Sequence, residues 1–255
     1  GRKAVAHRQT HAVYALMERL RQAHPALEIE SCASGGGRAD FGVLRHTDRV
    51  WTSDNNDALD RQFIQRGASY FFPPEVLGSH VGPKRCHITG RVLDMDFRVA
   101  TAIFGHMGME VDLGGVSAAD LDVLRRGIAL YKEYRDLIHA GDFYRLDMPD
   151  SFNAVGVVAK DRSAALFSCA KVDRLSHTLP GRCRFAGLAP DHPYRVRLIW
   201  PRHSPSITVP SIVEAADLYG EGTVFSGEAL VHFGIQLPLV HPHTCLLYHC
   251  ESVEG

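Results

Sequence analysis

Two short stretches of this chain carry residue types that could do chemistry at a useful spacing. The first is Cys32-Ala33-Ser34-Gly35-Gly36-Gly37, and the second is Trp51-Thr52-Ser53-Asp54-Asn55. Consecutive glycines let a backbone approach a ligand closely and adopt dihedrals that a Cβ would forbid. A phosphate loop would continue with Lys-Ser/Thr or open a helix with G-x-G-x-x-G, whereas Arg38 follows here. Taken alone, the glycines also read as a plain flexible turn. An aromatic ring shortly before a carboxylate suits a sugar: the ring packs on its apolar C–H face while the carboxyl exchanges a proton with the glycosidic oxygen. Taken alone, Asp54 reads first as the N-cap of a helix starting near Asn56.

Other chemistry-bearing residues are weaker candidates. His241, His243 and Cys245 alternate and Cys250 follows, but the spacing fits no common zinc pattern, and alternation is what an edge strand gives; no metal is expected. His80 and His106 fall in rim-like loops and read as hydrogen-bonded structural histidines before substrate contacts. Arg38 and Asp40 could pair to hold the glycine loop, Glu75 could orient a loop, and Asp94 and Asp96 read as a solvated face.

The elements that must position these residues follow from periodicity. Val13, Leu16, Met17 and Leu20 share one face, giving a helix over Thr10 to Ala23 closed by Pro25. A short strand then ends at Cys32. The spacing next predicts a strand over Arg49 to Asp54, a helix over Asn56 to Arg66, and a strand over Ala68 to Phe72 halted by Pro73-Pro74. A helix over Phe97 to Phe104, a strand over Met109 to Leu113 and a helix from Ser117 to about Ala140 complete the run. Strand then helix, repeated, is the rhythm of a parallel α/β sheet or (β/α) barrel, in which strand C-terminal ends face the ligand. Cys32 and Trp51 to Asn55 would then share a rim. After Asp150 the texture changes to short β-rich runs (Val155 to Ala159, Ala165 to Ala170, Tyr194 to Trp200, Leu246 to Tyr248) between turns, which predicts a small antiparallel β domain.

Composition bounds the rest. The 255 residues, 45% hydrophobic and 22% charged, are enough for a sizeable core. A formal charge of -1 gives no general pull toward nucleic acid or anionic membrane, and no apolar run is long enough for a spanning helix, so neither partner is expected. Six dispersed cysteines favour free thiols in a reducing, cytoplasmic compartment. No signal peptide opens the chain, although Gly1 is not an initiator methionine.

In order, Glu30-Ser31-Cys32-Ala33-Ser34-Gly35-Gly36-Gly37-Arg38, Val50-Trp51-Thr52-Ser53-Asp54-Asn55-Asn56-Asp57-Ala58 and Ile64-Gln65-Arg66-Gly67 resemble the α-galactosidases of glycoside hydrolase family 36. So do Pro73-Pro74-Glu75-Val76-Leu77-Gly78-Ser79-His80-Val81, Phe104-Gly105-His106-Met107-Gly108 and Tyr131-Lys132-Glu133-Tyr134-Arg135. The resemblance implies a retaining hydrolase of galactosides such as melibiose and raffinose, without a cofactor, in which Asp54 is the general acid/base and Cys32, Gly35 and Trp51 line the galactose subsite. Desolvation beside Trp51 would keep Asp54 protonated for the first step. It further implies an α/β fold. Residues 1–148 would be the second half of a (β/α)8 barrel and residues 149–255 a small antiparallel β-sandwich, with a homo-oligomer possible in the full-length enzyme.

The family's nucleophilic Asp sits in a Lys-Trp-Asp-x-Asn-Arg motif that this sequence does not contain. The first barrel strands and the family's N-terminal β-sandwich have no counterpart here either. The expectation is therefore a fragment that is inactive alone. The alternatives are a raffinose-synthase-type galactosyltransferase and a non-catalytic galactose-binding remnant.

Overall fold

The computed structural model describes residues 4–177, 179–201 and 218–253. Its first part is α1 (Val5–Ala23), β1 (Glu30–Ser31), β2 (Arg49–Trp51), α2 (Ala58–Ala68), β3 (Leu77–Val81), α3 (Met95–Ala102), β4 (His106–Met109) and α4 (Ala118–Ala140). The four strands form one parallel sheet in sequence order, β1-β2-β3-β4. The register aligns Ser31 with Val50, Trp51 with Gly78 and Val81 with Met109. All four strands therefore end at the same edge, and the segments leaving them form one rim.

Local sequence accounts for most of these bounds. Ser117 accepts from the Asp120 amide and starts α4, as a capping serine should. Two strand expectations fail. Ala68 to Phe72 is not a strand: Phe71 and Phe72 donate back to the Ala68 carbonyl as the end of α2 unwinds, and the third strand follows the double proline. The fourth strand comes earlier than Met109 to Leu113, because Gly78 to Val81 of β3 pairs with His106 to Met109. Asp94 takes the N-cap position of α3, and Asp96 is partly buried, its carbonyl accepting from Trp200 Nε1 at 3.0 Å, so the solvated-face reading does not hold for Asp96.

The second part contains β5 (Asp142–Leu146), β6 (Phe152–Val158), β7 (Ala164–Lys171), β8 (Arg182–Cys183), β9 (Pro193–Trp200), β10 (Thr223–Ser226), β11 (Ile235–Gln236) and β12 (Thr244–Ser252). Six of these form an antiparallel sheet in the order β10-β9-β12-β7-β6-β5. The second layer of the expected sandwich is, among the described residues, only the two-stranded ribbon β11-β8 with its loops. Phe167, Tyr194, Leu246 and Tyr248 face this layer and pack on Phe185, Ile235 and Leu237. Leu166, Ala170 and Leu247 face the other way, onto Phe97, Val99 and Ile138 of α3 and α4. The middle strands are thus covered on both faces, which is why they read as near-continuous apolar runs rather than a clean alternation.

Helix α2 ties the two sheets together through polar contacts. Gln62 donates to Thr101 Oγ1 and accepts from Asn153 Nδ2, each at 2.8 Å, and Gln65 accepts from Ser79 Oγ at 2.8 Å. Arg66 reaches the Ala154 carbonyl at 2.9 Å. Buried side chains of this kind persist only when their donors and acceptors are matched, as they are here. No helix among the described residues is long and apolar enough to cross a membrane.

Candidate active site

The rim at the C-terminal ends of β1 and β2 brings Cys32, the glycine loop and Asp54 together. Cys32 and Asp54 are both exposed, and Cys32 Sγ lies 4.0 Å from Asp54 Oδ1. Cys32 is the one exposed cysteine; the other five are buried, and all six are free thiols.

The glycines serve a different contact from the one their sequence suggests. Gly35 has φ +77, and a Cβ there would stand 2.5 Å from Ser53 Cα and 3.2 Å from the Asp54 nitrogen. The Gly36 amide donates to the Thr52 carbonyl at 3.1 Å. The loop after β1 is therefore pressed backbone to backbone on the loop after β2, and the close approach that glycine allows is to the segment bearing Asp54. Arg38 has no part in this: Asp40 instead accepts from the Val43 amide at 2.7 Å and from Tyr14 Oη at 3.2 Å.

Asp54 is not the N-cap of α2. Asp57 is, accepting from the amides of Leu59 and Asp60 at 2.9 and 3.2 Å. Its side chain is fully buried, with Arg91 Nη1 at 2.6 Å and Thr89 Oγ1 hydrogen-bonded to it. Burial works against its charge, but the bonds from Thr89, Arg91 and the Asp60 amide outweigh it and hold the carboxyl below its usual range. With the cap supplied by Asp57, Asp54 is left free on the rim.

Trp51 is only 7% exposed. The Arg61 guanidinium carbon lies 4.0 Å from its ring centroid and the His80 ring 4.2 Å away, so little of the ring face remains for a sugar to stack on. This corrects the stacking expected from sequence; Asp54 itself is exposed. Trp51 instead packs as a floor under the rim.

Two residues that sequence reasoning passed over, Glu110 and Arg61, lie beside the site. Glu110, just after β4, accepts from Asn56 Nδ2 at 3.0 Å, and His80 Nδ1 lies 3.7 Å from the same carboxylate. Arg61, 1% exposed, donates to the Asn55 carbonyl at 2.7 Å, to Thr52 Oγ1 at 2.8 Å and to the Ser53 carbonyl. Burial pushes its pKa down to about 10, against the pull of the Glu110, Asp54 and Glu30 carboxylates. A sequence signal for Arg61 existed in its helical spacing from Asp57, which places it on the inward face of α2.

The remaining candidates lie elsewhere. His106 Nε2 is 2.6 Å from the Glu75 carbonyl, with its ring 4.5 Å from His139. It is Glu75's backbone, not its carboxylate, that makes this contact. His243 packs beside Phe97, and Cys245 Sγ is 3.1 Å from Ser168 Oγ. Among the described residues no group of three His, Cys, Asp or Glu side chains is placed to hold a metal.

A small exposed thiol and an exposed carboxylate therefore meet on the rim of a parallel sheet, above an indole. Residues 1–141 match the family model described as Melibiase, and residues 152–249 match that of the glycosyl hydrolase family 36 C-terminal domain. The chain belongs to the melibiase family, glycoside hydrolase family 36.

The Alpha-galactosidase of Escherichia coli is 47% identical over 98% of this chain and 36% of its own length. Alpha-galactosidase 1 of Pediococcus pentosaceus is 30% identical over 98% of this chain and 31% of its own. Among solved structures, α-galactosidase AgaA of Geobacillus stearothermophilus in complex with raffinose superposes with a TM-score of 0.84, at 29% identity, over 98% of this chain and 32% of that one. The galactosidase domain of AgaSK superposes with a TM-score of 0.82, at 32% identity, over 94% of this chain and 31% of that one. The chain thus spans about a third of the length of these relatives.

Proposed function

We propose that this chain supplies the acid/base half of a retaining α-galactosidase active site. Asp54 is the general acid/base, Cys32, Gly35 and Trp51 shape the galactose subsite, and the nucleophilic carboxylate comes from a segment outside this sequence. The observation that carries the reading is the placement of Asp54: exposed at a strand C-terminal end, 4.0 Å from the Cys32 thiol and released from helix capping by Asp57. In the barrel architecture this implies, residues 1–148 are the second half of a (β/α)8 barrel and residues 149–255 the C-terminal β domain, with β5 reaching across to join the antiparallel sheet.

The chemistry follows from two carboxyl groups about 5–5.5 Å apart, the separation of retaining glycosidases. Asp54 gives its proton to the glycosidic oxygen as the nucleophile attacks the anomeric carbon, and a galactosyl-enzyme forms. Asp54, now a base, then takes a proton from water, and hydroxide adds to the anomeric carbon and frees the nucleophile. Galactosides of the raffinose type are the proposed substrates, given the raffinose and stachyose complexes of Geobacillus stearothermophilus AgaA variants.

The test uses the purified chain with an aryl α-galactoside and with galactose. No turnover is expected, because one of two essential carboxylates lies elsewhere. Galactose is expected to protect Cys32 from alkylation by iodoacetamide. Measurable hydrolysis would overturn the division of carboxylates, and a Cys32 rate indifferent to galactose would overturn the subsite.

A further inference from the structure

Arg61 is an unusual investment. A guanidinium that is 1% exposed has lost almost all of its hydration, and among the described residues no carboxylate lies within ion-pair distance of it. Burying a charge is costly unless other interactions replace its water. Here every replacement comes from one short segment: the Thr52 hydroxyl, the Ser53 carbonyl and the Asn55 carbonyl, with the Trp51 ring beneath. Those residues flank Asp54 on both sides, and Asp54 alone in the run 51–55 is exposed.

The fork geometry matters. Nε, Nη1 and Nη2 each serve a different acceptor, so the planar guanidinium sets the directions of three groups at once, which a single ammonium cannot do. The arginine in the last turn of α2 behaves differently. Arg66 donates to the Asn153 side chain and to the Ala154 and Leu146 carbonyls, all of which belong to the antiparallel sheet. Arg66 thus fastens α2 to the second sheet, while Arg61 fastens the Asp54 loop to α2.

We propose that Arg61 is the positioning residue of the acid/base: it holds the 52–55 turn in the one shape that projects Asp54 over Cys32. This rests on the reading of Asp54 as the acid/base. Gly35 packs on the backbone of the same turn, at Ser53 and Asp54. The turn is therefore held by both a glycine backbone and a buried cation.

The experiment reads Cys32, the exposed thiol beside Asp54, in the folded chain. Arg61→Lys, Arg61→Met and, as a control of similar bonding, Arg66→Met are compared by iodoacetamide labelling of Cys32, with cooperative unfolding checked for each. Arg61→Lys and Arg61→Met are expected to change the labelling rate by about tenfold or more, roughly what losing one hydrogen bond to a charged group is worth. Arg66→Met is expected to lower stability and leave the Cys32 rate alone. Galactose protection of Cys32 is then measured for each, and the Arg61 variants should need about tenfold more sugar than the parent if a hydrogen bond to the sugar is lost with the turn's shape.

If Arg61→Lys labels as the parent does and is protected by the same galactose concentration, the positioning role is wrong. It is equally wrong if Arg66→Met shifts Cys32 as much as Arg61→Lys does. Should Arg61→Met not fold, Arg61→Lys decides alone. A rate change in the Arg61 variants with no galactose protection in any protein upholds the clamp and overturns the galactose subsite, which keeps the two failures apart.

Discussion

Replacing Gly35 by alanine measures how tightly the two rim loops are fitted. The new Cβ would stand 2.5 Å from Ser53 Cα and 3.0 Å from the Ser53 nitrogen, both backbone atoms that no rotamer change can move. The φ of +77 adds a dihedral penalty of about 1–2 kcal/mol for any residue with a Cβ. Restoring ordinary contact would push the Ser53 backbone back by about 1 Å, at the cost of about 1–3 kcal/mol typical of overpacking. The total is about 2–5 kcal/mol. Gly90 separates the two contributions, because it has nearly the same φ of +71 but nothing within 4 Å of a built Cβ. Gly90→Ala should therefore pay the dihedral cost only, about 1–2 kcal/mol. Urea unfolding of both variants gives the difference, expected at about 1–3 kcal/mol. Iodoacetamide labelling of Cys32 should change for Gly35→Ala and not for Gly90→Ala. Equal destabilisation, with Cys32 unchanged in both, would refute the claim that the glycine loop is fitted against the segment bearing Asp54.

Two further outcomes test the interior. His139 is pushed down to about 4 by burial and by neighbouring His106, so it stays neutral in the fold while an unfolded histidine takes up a proton near pH 6.5. The unfolded state then binds more protons between about pH 6.5 and 4, and stability should fall across that window and level off below it; urea melts of the parent and His139→Phe check this, the variant showing a shallower fall. Gly127→Ala in α4 should gain about 1 kcal/mol of helix propensity, yet its Cβ would stand 2.3 Å from Val99 Cγ1 on α3. Thermal unfolding should show net destabilisation, and adding Val99→Ala should recover part of it; a more stable single variant would mean that the two helices are not in such close contact.

The reach of local sequence is visible in particular residues. The strand-helix rhythm, the Ser117 cap and the β-rich second half were legible because capping and periodicity act over a few residues. The order of the Cys32, glycine and Asp54 motifs was also legible and carried the family. What sequence could not decide was competition among similar residues for one role. Asp54 and Asp57 could each have capped α2, and the choice went to Asp57 because Thr89 and Arg91, more than thirty residues on, complete its buried hydrogen bonds. The double proline could have ended a strand or preceded one, and pairing with His106 to Met109 put the strand after it.

The same division runs through the site. The sequence by itself determined that a thiol, a glycine run, an indole and a carboxylate would meet at one rim, since each ends or follows a strand of a parallel sheet and such strands end together. Only the tertiary structure decided what each does there. Trp51 could not be known to lie beneath Arg61 and His80, nor Gly35 against Ser53, nor Glu110 beside Asn56, because those partners come from different strands and from a helix face. A free ring and a buried ring have the same sequence; which one Trp51 is depends on how a guanidinium seven side chains beyond Asp54 folds back over it.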